Sequence, residues 1–139
     1  AVETPVTTGP ALAVGEQEDY TRAQEALANG DFRSAADLLE TFSAAYPGSP
    51  LASRADFVRG QAFEGLGEMV GAARAYLTSF SADPTGAQAP EALYKLGFAL
   101  GQLGQVNDAC LTLAEVETRF PGNAILSNVE TTMTNLGCS

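Results

Sequence analysis

A spacing of 37 residues recurs along the 139-residue chain and constrains its fold more than any other feature. Four sets of residues keep this spacing. They are Pro47, Pro84 and Pro121; Gly30, Gly67 and Gly104; Ala35, Ala72 and Ala109; and Tyr20, Phe57 and Tyr94. A fixed period of this size indicates one supersecondary unit that is copied and stacked, so that each copy buries its neighbour's apolar face. The pattern favours a binding scaffold over a catalyst.

Turn residues divide each copy into two helices. The recurring glycine ends the first helix, because a left-handed C-terminal cap suits glycine, and the recurring proline follows the second. Asp31, Ser49 and Asn123 are predicted N-caps, with Pro50 at a first helical position. The predicted helices span residues 17–29, 32–46, 50–66, 69–82, 88–103, 106–119 and 124–136. The fold class is therefore all-α.

Small and large residues alternate with the same period, as expected for paired helices. Small residues recur at Ala23, Gly60 and Gly97 and at Ala35, Ala72 and Ala109; large apolar residues recur at Leu39, Tyr76 and Leu113 and at Phe32, Met69 and Val106. A glycine inside a helix costs about 1 kcal/mol relative to alanine. Gly60 and Gly97 therefore predict that the two helices of a copy touch at these positions.

These residues resemble the tetratricopeptide repeat, which has a small residue, an alanine, an apolar or aromatic residue and a proline at fixed positions. The second copy reads Gly60, Ala72, Tyr76 and Pro84. The resemblance implies a right-handed superhelix of three helix pairs, at about 17–48, 49–85 and 86–122, with a capping helix at 123–138. The period departs from the usual 34 residues, and the tryptophan often found in the first helix is missing. Residues 1–15 are predicted to be a flexible linker, and 16–139 the repeat domain.

Two segments, FSAAYPGSPLASRADFVRGQAFEGLGE and YKLGFALGQLGQVNDACLTLAEVETRFPGN, resemble the envelope-associated subset of these proteins. The nearest resemblance is to the periplasmic Tol-Pal system family called YbgF or CpoB, the cell-division coordinators. It implies a non-enzymatic periplasmic adaptor that binds a TolA-like partner and coordinates cell-wall synthesis with outer-membrane constriction. It also implies a removed signal peptide and an upstream coiled coil that makes the full-length protein a trimer, so this fragment is expected to be a monomer.

The alternative resemblance is to a scaffold lipoprotein of an outer-membrane assembly complex, like BamD. The BamD family has more repeats and a lipidated cysteine near its start, and neither appears in this chain. The sequence upstream of Ala1 would discriminate between the two families, since a lipidated cysteine favours the scaffold and a coiled coil the adaptor.

Composition excludes several classes of function. The net charge of −10 argues against a nucleic-acid or anionic-membrane binder. It is compatible with a basic partner segment, and equally with solubility alone. No apolar run approaches the roughly 18 residues of a membrane span, so no membrane insertion is expected. The absence of histidine excludes Ser-His and Cys-His catalysis and His-containing zinc sites. We expect no enzyme activity, no metal and no cofactor.

In the frame of the repeat family, certain positions of each first helix face a concave groove. The resemblance implies that the partner contacts Tyr20, Gln24, Arg54, Phe57, Gln61, Glu64, Glu91, Tyr94 and Phe98, beside Gln17, Leu27 and Gly101. The aromatic column of Tyr20, Phe57 and Tyr94 either docks a peptide or packs between repeats; both interpretations remain open. Phe98 is the strongest single candidate, because its repeat equivalents are polar. Glu64 and Glu91 would favour a basic peptide.

Of the two cysteines, Cys110 lies near the start of the predicted sixth helix, and Cys138 lies just past the end of the seventh. If the seventh helix runs antiparallel to the sixth, its end returns to the level where the sixth begins, and the two sulfurs meet. A disulfide there would contribute roughly 3–4 kcal/mol by closing the loop and would suit an oxidising compartment. The alternative is two unrelated thiols, with Cys110 a small core residue.

Overall fold

The computed structural model describes residues 14–139, which are helical throughout apart from turns. Within this range there are seven helices. They are α1 (Val14–Ala28), α2 (Phe32–Ala45), α3 (Ala52–Gly65), α4 (Met69–Ala82), α5 (Ala89–Gln102), α6 (Val106–Arg119) and α7 (Leu126–Leu136). The bounds of α4 and α6 are those predicted from the sequence. None of the described helices is long and apolar enough to cross a membrane.

Each helix packs on the next along the chain, and the pairs stack side by side. Helix α1 also contacts α3, and α5 contacts α7. The odd-numbered helices therefore line one wall of the stack and the even-numbered helices the other. This is the predicted right-handed superhelix of three helix pairs with a capping helix.

Glycine forms the turn inside each pair, as predicted. The φ angles of Gly30, Gly67 and Gly104 are +78°, +75° and +81°, a region in which residues with a Cβ are strained. At the first turn the amide of Gly30 donates to the carbonyl of Leu27, and the amide of Asp31 donates to that of Ala26. These bonds satisfy carbonyls that the helix end leaves free, and the second pair repeats them.

The predicted caps are right at one position and wrong at two. Asp31 caps α2, with its carboxylate accepting from the amide of Ser34. Ser49 caps a turn that precedes α3, because its hydroxyl accepts from the amide of Leu51 at 2.9 Å and donates to Glu16. Asn123 likewise accepts from the amide of Ile125 at 2.9 Å, before α7 begins. One extra turn therefore delays the start of both helices by two residues.

The core lies between the helices, where the recurring small residues allow close contact. Ala23, Ala35, Ala72 and Ala109 are fully buried. A Cβ built on Gly60 would lie 2.5 Å from a ring carbon of Tyr76, which confirms that the helices touch there. Val106 is an exception to the predicted core, since it is 38% exposed at the end of the stack.

The predicted linker falls almost entirely on residues 1–13, which lie outside the described residues. Helix α1 begins at Val14, two residues inside the range predicted for the linker and three residues before the predicted helix start. The flexibility of residues 1–13 stays a prediction.

Candidate partner-binding groove

A cleft of about 370 Å³ opens on the wall formed by the odd-numbered helices. Its lining spans the three helix pairs and consists of Leu27 and Phe32, Gln61, Glu64 and Gly65, and Lys95. Three of these residues, Leu27, Gln61 and Glu64, are at positions that the repeat frame assigns to the groove. The cleft combines an apolar floor with one carboxylate, one amide and one ammonium group, which suits a peptide backbone and its side chains.

Glu64 is the centre of the polar contacts in this cleft. Its carboxylate accepts a hydrogen bond of 2.6 Å from the hydroxyl of Tyr76 and two contacts of 3.3 Å from the ammonium of Lys95. Burial, followed by the hydrogen bond to Glu64, raises the pKa of Tyr76 far above its ordinary value, so the phenol stays a donor. The network joins the second repeat to the third. It also neutralises the charge of Glu64.

The aromatic column predicted from the sequence does not line the cleft as a unit. Tyr20 is 6% exposed among apolar residues of the first repeat, and Phe57 is 5% exposed with its ring 5.4 Å from that of Tyr76. Burial raises the pKa of the Tyr20 phenol, and the nearby Arg54 opposes this effect. For Tyr20 and Phe57, packing between helices is therefore the observed arrangement.

Tyr94 and Phe98 on α5 remain partly exposed. The hydroxyl of Tyr94 lies 2.9 Å from that of Thr132, so this ring braces α7. The ring of Phe98 lies one turn from Lys95, whose ammonium is 5.6 Å from the ring centre. Phe98 therefore lies next to the cleft, beside the Glu64–Lys95 ion pair.

The remaining predicted groove residues are dispersed. Gln24 and Arg54 are exposed on α1 and α3, and neither lines the cleft. Glu91 lies in a separate cleft of about 350 Å³, beside Pro90 and Asn128. The structure thus brings together Gln61, Glu64 and the neighbourhood of Phe98, and leaves the other predicted positions apart.

Comparison with protein families agrees with the helix pairs. A tetratricopeptide-repeat family profile matches residues 20–87, and a second profile of the same name matches residues 91–123. Together they cover well over half of the chain. The chain belongs to the tetratricopeptide-repeat family. Members of this fold act as scaffolds for protein–protein interaction. No curated protein matches the sequence significantly.

Three solved structures illustrate the similarity of fold. The Yersinia enterocolitica type III secretion chaperone SycD, in complex with a peptide of the translocator YopD, matches with a TM-score of 0.79 at 14% identity, over 91% of this chain and 95% of SycD. The second TPR domain of human RPAP3, in complex with an HSP70 peptide, matches with a TM-score of 0.73 at 17% identity, over 87% of this chain and 93% of the RPAP3 domain. The Sgt2 TPR domain from Aspergillus fumigatus matches with a TM-score of 0.72 at 19% identity, over 94% of this chain and 85% of the Sgt2 domain. At these identities the likeness shows the fold alone.

Sequence reasoning missed three residues that line the cleft of this repeat domain: Phe32, Gly65 and Lys95. Phe32 was assigned to the core, yet its ring packs across the bare backbone of Gly65 at the rim of the cleft. Lys95 could have been identified as a candidate from the sequence, because it is the single lysine of the chain and lies next to Tyr94. Its pairing with Glu64 depends on helix rotation, which the spacing of residues does not give.

The structure also contains the disulfide between Cys110 and Cys138, with 5.7 Å between their Cα atoms. Cys110 lies on the second turn of α6. Cys138 follows Gly137, the left-handed cap of α7, so α7 does return to the level of the α6 start as the sequence argument required.

The hydroxyl of Tyr76 provides a direct test of the Glu64 network. Tyr76→Phe should destabilise the domain by about 1 kcal/mol, because the part-buried carboxylate of Glu64 loses a hydrogen-bond donor while the ring keeps its packing. Urea unfolding followed by circular dichroism measures the difference. Thr78→Val is a matched control, since it removes an exposed hydroxyl of the same helix that bonds a backbone carbonyl. Equal stability of Tyr76→Phe and the native protein would contradict the assigned role.

Proposed function

We propose that this chain is a non-enzymatic periplasmic adaptor that holds a segment of a TolA-like protein in its concave groove. Through that contact it would coordinate cell-wall synthesis with outer-membrane constriction during cell division. The observation that carries the binding role is the cleft that spans the three helix pairs, where the ammonium of the lining residue Lys95 lies 5.6 Å from the ring centre of Phe98. The Tol-Pal assignment rests on the resemblance of the repeat segments to that family.

The groove is suited to an extended or helical peptide for physical reasons. Its walls belong to helices fixed by a continuous core, so little ordering free energy is required of the receptor on binding. Phe98 and Phe32 offer rigid apolar area with few rotatable bonds, and Gln61 offers both a donor and an acceptor to a peptide backbone. Such a combination of aromatic anchors and adaptable polar groups is typical of peptide-binding sites.

Structural relatives support a peptide as the ligand class. SycD and the RPAP3 domain were both solved in complex with a peptide, of YopD and of HSP70 respectively. By analogy of fold, the ligand of this chain would be a segment of another protein. Two candidate partners are therefore compared: a TolA-like protein and a component of an outer-membrane assembly complex.

Charge in the groove refines the expected partner. Because Glu64 is paired with Lys95, it gives less attraction for a basic peptide than its sequence position suggests. Glu91 is exposed and takes no part in the Glu64–Lys95 ion pair. The overall charge of −10 still favours a basic segment through long-range attraction. The salt dependence of binding should therefore be moderate.

The test measures binding of the purified periplasmic part of the organism's TolA protein by calorimetry. Phe98→Ala should weaken binding about tenfold, because truncation of an aromatic anchor in an interface typically removes more than about 1 kcal/mol. The melting temperature should change little, because Phe98 is partly exposed beside Lys95.

Leu77→Ala is the matched control, since Leu77 is 50% exposed on α4, outside the groove wall. It should leave the affinity unchanged. An equal loss of affinity in both variants would refute the groove. Absence of TolA binding by the native chain, together with binding to an outer-membrane assembly component, would instead support the BamD-like scaffold.

A further inference from the structure

The disulfide fastens the last helix of the stack to its neighbour. It joins Cys110 on α6 to Cys138, the residue after the cap of α7. The loop that it closes contains the rest of α6 and all of α7, and no residue of α1 to α5. Breaking the bond therefore loosens the end of the chain without cutting a tether inside the first two repeats.

Helix α7 has few other attachments for its length. It is the shortest described helix, with 11 residues, and Val129 is its one fully buried side chain. In comparison, α5 buries Ala89, Ala92, Leu93, Gly97 and Ala99. Leu126, Met133 and Leu136 add partial contacts, and the Tyr94–Thr132 hydrogen bond adds a polar one. Local opening of such a weakly buried helix requires far less free energy than global unfolding.

The disulfide lies at the surface, beside a cleft of about 460 Å³. Both cysteines line this cleft, together with Val106, Leu111 and Met133. Leu111 is 70% exposed. Both cysteines are partly exposed, so we expect a thiol reagent to reach the bond without unfolding of the domain.

The rim of this cleft departs from the repeat pattern. The positions that correspond to Leu111 in the first two copies are Asp37 and Arg74, both charged and exposed. At this position of the repeat, an exposed leucine is thus specific to the copy that carries the disulfide. Val106 is exposed for a related reason: α7 stops at Leu136, one turn before the point where a full first helix of the next copy would cover it.

We propose that the Cys110–Cys138 bond is a redox latch, opened by a dithiol reductant, which releases α7 while the remaining helices stay folded. A thiolate of the reductant attacks Sγ of Cys138, forms a mixed disulfide and expels the Cys110 thiolate, which takes a proton from water. The second thiol of the reductant loses its proton and attacks the reductant's other sulfur, which is bonded to Cys138 in the mixed disulfide. This step expels the Cys138 thiolate, which is then protonated. Two electrons pass to the protein, and the reductant leaves as a disulfide.

Release of α7 uncovers a defined apolar face. Leu93, Leu113 and Val116 lose the cover of Val129, and Gly101 loses the side chain of Leu136 that packs on it. Tyr94 loses its partner hydroxyl on Thr132. The reduced chain therefore presents the stacking surface of the third repeat, which the oxidised chain hides.

Hydrogen exchange on the whole chain, oxidised and then reduced with dithiothreitol in native buffer, tests the latch. Amides of α7 should exchange about tenfold faster or more after reduction, while those of α3 and α4 change by less than about twofold. Oxidation back to the disulfide should restore protection. The variant Cys110→Ser/Cys138→Ser should reproduce the reduced pattern without any reductant.

Three results would overturn the proposal. The first is unchanged protection of α7 in protein whose reduction is verified by mass. The second is a parallel loss of protection in all helices, which would make the bond a support of the whole fold. The third is a disulfide that dithiothreitol reduces only in denaturant. Because reduction is done on the native sequence, the test does not depend on folding of the serine variant.

Discussion

Gly60→Ala is expected to destabilise the domain by about 2 kcal/mol, although alanine is the better helix former. The new Cβ would lie 2.5, 2.6 and 2.9 Å from three ring carbons of Tyr76. Overpacking of this kind costs about 1–3 kcal/mol or more, which exceeds the gain of about 1 kcal/mol in helix propensity. The melting temperature should fall by about 6 °C. Urea unfolding and a thermal scan measure the two quantities.

The ring of Tyr76 cannot move away from the new methyl group. It is fully buried, its hydroxyl is bonded to Glu64 at 2.6 Å, and its face is covered by Phe57. At Gly97 the corresponding neighbour is Leu113, which is also fully buried and whose Cγ and Cδ2 would lie 2.8 Å from the new Cβ. Gly97→Ala should still be the milder substitution, with a loss of about 1 kcal/mol, because an aliphatic side chain without a hydrogen bond shifts more easily than the bonded Tyr76 ring.

The first repeat provides the rescue experiment, since it pairs Ala23 with Leu39 at these same two positions. Gly60→Ala/Tyr76→Leu reproduces that pair and should be more stable than Gly60→Ala alone. Stability that falls further in the double variant, or a Gly60→Ala protein as stable as the native one, would contradict the argument from close packing.

The repeat architecture was predictable because it depends on spacing. A period of 37 residues places glycine at a left-handed turn and alanine at a helix contact in each copy, whatever the surrounding residues are. Helix starts were less predictable. Ser49 and Asn123 are good caps by composition, yet both cap the turn before their helix, because a further turn satisfies the same amides.

The groove was predictable only in part, because it depends on side-chain direction. Gln61 and Glu64, which the repeat frame assigned to the groove, line the cleft, whereas Tyr20 and Phe57 lie in the core. An aromatic ring on a helix that packs against two neighbouring helices is buried between them, because its burial contributes about 2 kcal/mol or more to stability. The link from Glu64 to Lys95 crosses 31 residues of sequence and follows from the stacking of two copies.

Asp56→Leu/Arg59→Leu is expected to stabilise the domain by about 1–3 kcal/mol at neutral pH, because a desolvated ion pair gives way to apolar packing. Asp56 is buried on α3 and contacts Arg59 at 3.4 Å, and among the described residues the buried Nε of Arg59 has no hydrogen-bond partner. The third copy already has an apolar pair at the equivalent positions, because Leu93 and Leu96 lie there in an apolar cluster.

The gain should depend on pH with a defined sign. Burial raises the pKa of the Asp56 carboxyl above its ordinary 3.8, and Arg59 only partly opposes this effect. The folded state therefore binds the proton more tightly than the unfolded state does. This contribution to stability is fully present below pH 3.8 and is lost as the pH rises through the raised pKa. The double variant should exceed the native protein most at neutral pH, with a smaller margin in acid.

Urea unfolding of both proteins across this pH range measures the margin, so that other carboxylates cancel in the difference. Arg59→Leu alone is the informative control: it leaves the Asp56 carboxylate buried without its cation, and should be less stable than the native protein. The double variant should recover that loss and exceed it. A double variant less stable than the native protein would mean that the ion pair, despite its desolvation and its unbonded Nε, contributes more to stability than the leucine pair does at the same positions.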